Sequence, residues 1–272
     1  MLARLRQLIC ENRRLGPFAW AGAAAERYLH AYYNEDCYDF RLNGELFVVK
    51  TFAAWRNCAR TIARDVGANR GQWVLEAVEV LPSAEFHSFE IVPDIYDVLV
   101  QRLQGLPNVH AHGFGLSDSV GQTIVHVNPN YETTSSISPR LCSEYFTKGA
   151  APVVCEICEV STADCLAERL GKPHLIKIDV DGHEVSVLRG AQELLASSDG
   201  PEILQLEYGE TYLPFGSTLK NIYDLLQPHG YALGRLYPNH VDFRPYAYAD
   251  DNFRMGNFIA VKPPKLKAML AG

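Results

Sequence analysis

Acidic side chains stand at the ends of several apolar runs in this chain, where they could bind a ligand or move a proton. Asp65 opens the turn Asp65-Val66-Gly67-Ala68-Asn69-Arg70-Gly71, and Asp179 lies within Leu175-Ile176-Lys177-Ile178-Asp179-Val180-Asp181-Gly182-His183-Glu184. Both segments read as a buried strand turning into a helix. In an open α/β sheet, ligands sit beyond the carboxyl ends of the strands. Two such turns therefore predict one cleft, with a cofactor on one side and a reaction on the other. Gly67 and Gly71 let the backbone turn tightly and approach a ligand, and Asn69 tolerates a left-handed position. Glu90 ends the next strand, 23 residues after Gly67, where a carboxylate can accept from both hydroxyls of a ribose. Ser117 and Asp118 end a third strand, within reach of an adenine edge. Each has a plainer role available: glycine turns are common, a strand-end Glu can simply be solvated, and Asp118 to Gly121 has ordinary turn composition.

At the second turn, Asp181 and Glu184 have the spacing of a capping box for the helix carrying Val185, Leu188, Leu194 and Leu195. That role accounts for Asp181 without chemistry and leaves Glu184 divided. It does not account for Asp179, an acid at the end of a core strand. His183 reads either as a solvated first-turn residue or as a general base, kept neutral by the positive end of the helix. Glu207 ends Ile203-Leu204-Gln205-Leu206-Glu207-Tyr208 and should neighbour Asp179. Together they could hold Mg²⁺ through oxygen, or one could hold a substrate hydroxyl. His110 and His112 share a strand face with no third ligand in view, so they read as half-buried histidines. Cys155 and Cys158 form a lone CxxC inside a strand, where positions i and i+3 point to opposite faces. A zinc site is not expected there.

The elements that must position these groups follow from periodicity. From about residue 60, strands and helices alternate, which predicts a mostly parallel sheet covered on both faces. Strands are predicted at Thr61–Val66, Glu85–Ile91, Asn108–Leu116, His174–Ile178, Glu202–Glu207, Tyr231–Leu236 and Phe253–Val261. Helices are predicted at Gln72–Leu81, Asp94–Leu103, Glu184–Ala196 and Thr218–Gln227. A further strand pair, Thr123–Val127 and Val153–Val160, brackets a Ser/Thr/Asn/Pro-rich insertion at about 128–151, long enough to be a binding loop or lid. Ahead of this domain (60–264), residues 1–59 read as an appendage: helices over residues 2 to 33, broken near Gly16-Pro17, then a hairpin around Asn43-Gly44. Residues 265–272 read as a tail. The front helices either mediate a homodimer or cap the sheet.

Composition bounds the function. The 272 residues form one large domain, or a domain with an appendage. A net charge of −7 argues against an extended nucleic-acid surface, although Arg4, Arg6, Arg13 and Arg14 concentrate positive charge at the front. Seven cysteines without pattern suit a reduced, cytoplasmic protein. No apolar run approaches the roughly 20 residues that span a bilayer, so no membrane segment is expected. Arg13-Arg14 before Leu15 to Ala25 has the outline of a twin-arginine export signal. Glu26-Arg27-Tyr28-Leu29 continues that stretch at helical spacing and favours a packed amphipathic helix.

Taken together, DVGANRG, the Glu90 strand end, LSDSVG (116–121), LIKIDVDGHEVSVLRGA (175–191) and MGNFIAV (255–261) resemble the FkbM family of S-adenosylmethionine-dependent methyltransferases. The resemblance covers about residues 60 to 262. It implies a class I Rossmann-like fold, with a seven-stranded sheet whose last strand is antiparallel. It also implies O-methylation of a sugar, glycoside or natural-product hydroxyl. On matching positions it assigns Asp65, Gly67, Ala68, Asn69 and Gly71 to the methionine part of the cofactor. Glu90 with Ile91 would hold the ribose, Ser117 and Asp118 the adenine, and Asp179 the methyl-transfer side. The chain departs from the family pattern at Ile91 (commonly Pro), Asp181 (usually Glu) and Arg64 (usually apolar). Asp179 or His183 is expected to take the acceptor proton, with Glu207 orienting the acceptor or sharing Mg²⁺. The alternatives are a nicotinamide-dependent oxidoreductase, which lacks its G-x-G-x-x-G here, and a non-catalytic module keeping the same fold.

Overall fold

Residues 2–35, 37–57, 59–127, 137 and 154–272 are described by the computed structural model. Their centre is a sheet built on β1 (Ile62–Val66), β2 (Glu85–Phe89) and β3 (Val109–His112). These run parallel to one another and to β7 (Leu175–Ile178) and β8 (Ile203–Tyr208), in the spatial order β3-β2-β1-β7-β8. Beyond β8 lies β11 (Gly256–Val261), antiparallel, followed by β9 (Ala232–Tyr237) and β10 (His240–Phe243). All seven predicted strands are present, and the last does run antiparallel. An eighth, β10, extends the edge as a hairpin partner of β9.

Every residue of β1 and β7 is buried, as expected for strands covered on both faces. On one face Ile176, Ile178, Leu204 and Leu206 pack with Leu166, Val185, Leu188, Ile222 and Tyr223. These come from α6 (Ala163–Leu170), α7 (Glu184–Arg189) and α9 (Leu219–Leu226). On the other face Ala63, Phe86, Leu175, Ile203 and Ile259 meet Val48, Phe52, Trp73, Leu99, Leu266 and Leu270. These side chains come from α3 (Glu45–Arg56), α4 (Gln72–Val80), α5 (Pro93–Arg102) and α10 (Pro264–Ala271).

Several expectations are corrected. The hairpin around Asn43-Gly44 is a helix start. Gly44 does turn, at φ +103°, but Asn43 Oδ1 accepts the Glu45 amide at 2.9 Å and α3 follows. Leu46 to Val49 is a continuous apolar run, which suits strand or helix alike. Phe52 at helical spacing decides it, buried with Val48 and Val49. The predicted strand 108–116 is divided: β4 (Gly115–Leu116) leaves the main sheet and joins β5 (Gly121–Val127) and β6 (Val154–Ser161) in a second, three-stranded one. Helix 184–196 is broken into α7 and α8 (Gln192–Ala196). Gly190 lies at the junction, where a Cβ would stand 2.0 Å from the Ser117 carbonyl oxygen, so this close approach requires glycine. Helix α6 was not predicted, although Thr162 caps it by accepting from Cys165 N. The 265–272 tail is mostly the last part of α10, which buries Leu266 and Leu270. Apart from Ile137, the 128–151 insertion lies outside the described residues. In front, α1 (Leu2–Asn12) and α2 (Gly16–Tyr32) bury none of their residues, and Pro17 sits in the first turn of α2, where a missing N–H costs nothing.

Candidate active site

Register alone aligns three polar side chains across the middle of the sheet. Asp65 on β1 sits beside Lys177 on β7, and Lys177 beside Gln205 on β8. All three are buried, so each must find a partner or carry a large desolvation cost. Lys177 Nζ lies 3.2 Å from Asp65 Oδ1 and 3.3 Å from Asp179 Oδ2, and it donates to the Gly67 carbonyl at 3.1 Å. Burial works against its charge, but Asp179, Asp65 and Glu45 outweigh burial and hold the ammonium above the usual lysine range. Gln205 Nε2 donates to Glu45 Oε1, and Asn43 Nδ2 donates to Glu45 Oε2 at 2.7 Å. The start of α3 is thereby tied to the sheet beneath it. Sequence reading missed Lys177, Gln205 and Glu45. The available signal was a lysine inside a four-residue strand with no exposed face.

The turn after β1 is fixed by its neighbours. Gly67 N and Ala68 N donate to Phe89 O at 3.0 and 2.8 Å, and Asp179 N donates to Val66 O at 3.0 Å. Gly67 has φ +76°, and a Cβ there would fall 1.9 Å from the Asp179 carbonyl oxygen. Its glycine requirement thus comes from the neighbouring turn. Gly71 likewise abuts Leu99 of α5. Asn69 adopts the left-handed conformation at φ +49°, and its amide donates to Glu90 Oε2 at 2.8 Å. Glu90 Oε1 accepts from Val92 N at 2.9 Å. Burial raises the Glu90 pKa and these amides oppose the rise. A carboxylate has about four acceptor sites, so capacity remains for ribose hydroxyls. Ala68 is a core residue, and Ile91 packs beneath the second sheet with Val92 and Ile95. Asp65 Oδ2 is buried and has no hydrogen-bond partner among the described residues. Burial raises its pKa, as does Asp179, against the pull of Lys177.

Ser117 N donates to Ser161 O at 2.8 Å, and exposed Asp118 accepts from Ser119 Oγ at 3.1 Å. His183 Nε2 lies 2.9 Å from Ser117 Oγ, and its ring centroid lies 5.5 Å from that of Phe215. Burial lowers its pKa, with Asp118 opposing. The capping box at Asp181 is not formed. Asp181 is left-handed at φ +57°, His183 holds the N-cap position, and Glu184 Oε1 accepts from Val180 N at 2.9 Å. Burial pushes the Glu184 carboxyl up to about 8.

Asp179 and Glu207 come together with Glu45, Asn257, Tyr38 and Cys37 around a cavity of about 100 Å³. His183 does not line it. Burial raises the Glu207 pKa well above the usual carboxylate range, reinforced by Asp179, Asp181 and Glu184. Among the described residues, no three His, Cys, Asp or Glu side chains are arranged to hold a metal ion. Lys177 already supplies positive charge beside Asp179, so the Mg²⁺ expectation gains no support. His87 adjoins His110 and His112 as a stack, with His87 Nδ1 3.0 Å from His112 Nε2.

A parallel α/β sheet with an antiparallel last strand, and acids gathered at its strand ends, defines a class I methyltransferase fold. The chain matches the methyltransferase FkbM domain over residues 65–233. It belongs to that family and is an S-adenosylmethionine-dependent methyltransferase, which sets aside the nicotinamide alternative. It is 29% identical over 255 residues to methyltransferase sdnD of Sordaria araneosa, covering 84% of this chain and 90% of that protein. It is 29% identical over 136 residues to the hexuronic acid methyltransferase AglP of Haloferax volcanii, covering 49% of this chain and 51% of that one. A solved methyltransferase from Streptococcus pneumoniae in complex with S-adenosyl-L-methionine aligns with a TM-score of 0.42 at 15% identity, over 81% of this chain and 72% of that one. No helix among the described residues is long and apolar enough to cross a membrane.

Proposed function

We propose that this enzyme methylates a hydroxyl of a small-molecule or saccharide acceptor. One observation carries the reading: Asp179 and Glu207 line the same cavity at the ends of adjacent strands. S-adenosylmethionine supplies a methyl group on a sulfonium, together with a positively charged ammonium. The residues present fit such a cation, because among the described residues Asp65 and Asp179 share one close counter-charge, Lys177, and Asp65 Oδ2 is left over. Asp65 and Asn69 would hold its methionine part, Glu90 its ribose, and Ser117 and Asp118 its adenine. A saccharide acceptor agrees with the hexuronic acid named for the Haloferax volcanii relative.

A sugar hydroxyl is a poor nucleophile until its proton is held by a base. Glu207 is placed for that task, since it lines the cavity beside Asp179 at the end of the adjacent strand; burial and neighbouring carboxylates raise its pKa. Asp179, oriented by Lys177, accepts a hydrogen bond from the acceptor. His183 supports the Ser117 hydroxyl and acts as a positioning residue. The test is a methylation assay with glycoside acceptors, read by mass of the product. Glu207→Gln is expected to lower kcat by about 100-fold or more, with S-adenosylhomocysteine affinity retained. An unchanged kcat would remove Glu207 from the role of base.

A further inference from the structure

The family match ends well short of the cavity's outer wall. Residues 65–233 supply Asp179 and Glu207, whereas Tyr38, Cys37, Glu45 and Asn257 lie outside that span. The wall is nevertheless built firmly. Arg235, buried on β9, donates to Tyr33 O at 2.8 Å and to Met255 O at 2.7 Å. Arg254 pairs with Glu35 at 2.7 Å, and Asn34 Nδ2 donates to Asn43 O at 2.8 Å. These bonds pin Tyr33, Asn34, Glu35 and Asn43 near the strand ends.

What lines the cavity is polar and acidic. Glu45, Asp179 and Glu207 contribute three carboxyl groups. The cation set among them, Lys177, is buried in the sheet and already committed to Asp65, Asp179 and the Gly67 carbonyl. Asn257 stands opposite Glu207 in the β11–β8 register, half-buried, and its amide makes no hydrogen bond among the described residues. A carboxamide offers both a donor and an acceptor. Beside a carboxyl group, it is suited to a pair of neighbouring hydroxyls. With about 30 Å³ per water as the scale, about 100 Å³ accommodates a few such groups.

We infer that this cavity is the acceptor subsite, that it takes an uncharged or amine-bearing polyol and rejects a carboxylate-bearing one, and that Asn257 selects among acceptors. An acceptor carboxylate would enter beside Glu45, Asp179 and Glu207, where burial and the crowding of acids already raise the Glu207 pKa, and a further like charge in close approach is strongly disfavoured. Among the described residues the cation set there, Lys177, is already committed. The selectivity therefore differs from the hexuronic acid named for the Haloferax volcanii relative. The inference rests on the reading that this enzyme methylates a hydroxyl-bearing acceptor.

Binding tests it without waiting for the natural acceptor. The protein loaded with S-adenosylhomocysteine is titrated with a matched set of methyl glycosides: glucoside, glucosaminide and glucuronide. The first two are expected to bind, and the glucuronide to bind at least about ten-fold more weakly. Asn257→Leu should weaken the glucoside about ten-fold or more and leave S-adenosylhomocysteine affinity unchanged. Glu45→Gln keeps the shape of the side chain, and should narrow the gap between glucuronide and glucoside. Equal or tighter binding of the glucuronide overturns the inference, and so does a set in which no glycoside binds. Failure of S-adenosylhomocysteine to bind would instead strike at the cofactor assignment, and the same glycosides titrated into the unloaded protein would still decide the cavity's preference.

Discussion

Lys177 carries the positive charge that lets Asp65, Asp179 and Glu45 share one buried region of the sheet. Removing one member of a buried ionic group leaves its partners uncompensated, which costs about 3–5 kcal/mol. Lys177→Met is therefore expected to destabilise the fold by that amount in urea denaturation, far more than a surface lysine change. His183 gives the opposite expectation. Its ring is spent on Ser117 and Phe215 and it does not reach the cavity wall, so His183→Ala should keep kcat within about ten-fold while weakening the cofactor. A loss of kcat matching that of Glu207→Gln would return His183 to the role of base. Asp65, Glu90, Asp179 and Glu207 were legible in the sequence because each ends an apolar run, and chain direction alone sends strand ends to one edge of a parallel sheet; Glu45, which starts α3, carried no such mark. Lys177 and Gln205 were not legible. A single polar residue inside an apolar strand acquires meaning only through register, which joins Asp65, Lys177 and Gln205 from positions far apart in the chain.

Among the elements, the turn from β7 into α7 carries the clearest pH dependence. Glu184 is buried at the start of α7, and its pKa rises from 4.5 to about 8, burial being the main cause with Asp179 and Asp181 adding to it. Between those values the folded chain holds a proton that the unfolded chain releases, so stability falls as pH rises through that window. Glu184→Gln cannot ionise. Its stability relative to the wild type should improve by up to about 5 kcal/mol between about pH 4 and about pH 9, as read by urea denaturation at the two ends. A difference independent of pH would place the proton elsewhere. Gly190 bears on the neighbouring junction. A Cβ there meets the Ser117 carbonyl oxygen at 2.0 Å, so Gly190→Ala should displace the Ser117–Asp118 turn and weaken S-adenosylhomocysteine about ten-fold or more, measured by calorimetry. Periodicity found the long strands and helices because their apolar spacing is unambiguous. It failed at Leu46 to Val49, where four apolar residues in a row suit either period, and at Gly190, whose close approach to the distant Ser117 carbonyl no local spacing reveals.

On the scale of the molecule, the front of the chain divides into a part that buries nothing and a part that completes the site. Helices α1 and α2 bury no residue and leave Leu2, Leu5, Leu8, Ile9 and Trp20 exposed. Deleting residues 1–14 removes no core contact, and it should shift Tm by less than about 2 °C and leave acceptor affinity unchanged. Deleting residues 1–44 is a different operation. It strips Tyr33 and its carbonyl from the buried Arg235 guanidinium, Glu35 from Arg254, and Asn43 from Glu45 at the start of α3. A buried charged donor left without its acceptor costs about 1–3 kcal/mol or more, so this deletion should lower Tm by several degrees, roughly 2–4 °C for each kcal/mol lost. The strand ends that carry Asp65, Glu90 and Asp118 stay in place, so S-adenosylhomocysteine should still bind. Acceptor binding should weaken about ten-fold or more, because the cavity would keep Asp179, Glu207 and Asn257 but lose Asn34, Cys37, Tyr38 and Asn43 from its wall. Calorimetry with S-adenosylhomocysteine and with a methyl glycoside separates the two effects. Loss of both together would show that residues 33–44 support the cofactor cleft itself, and that the two halves of the site cannot be divided.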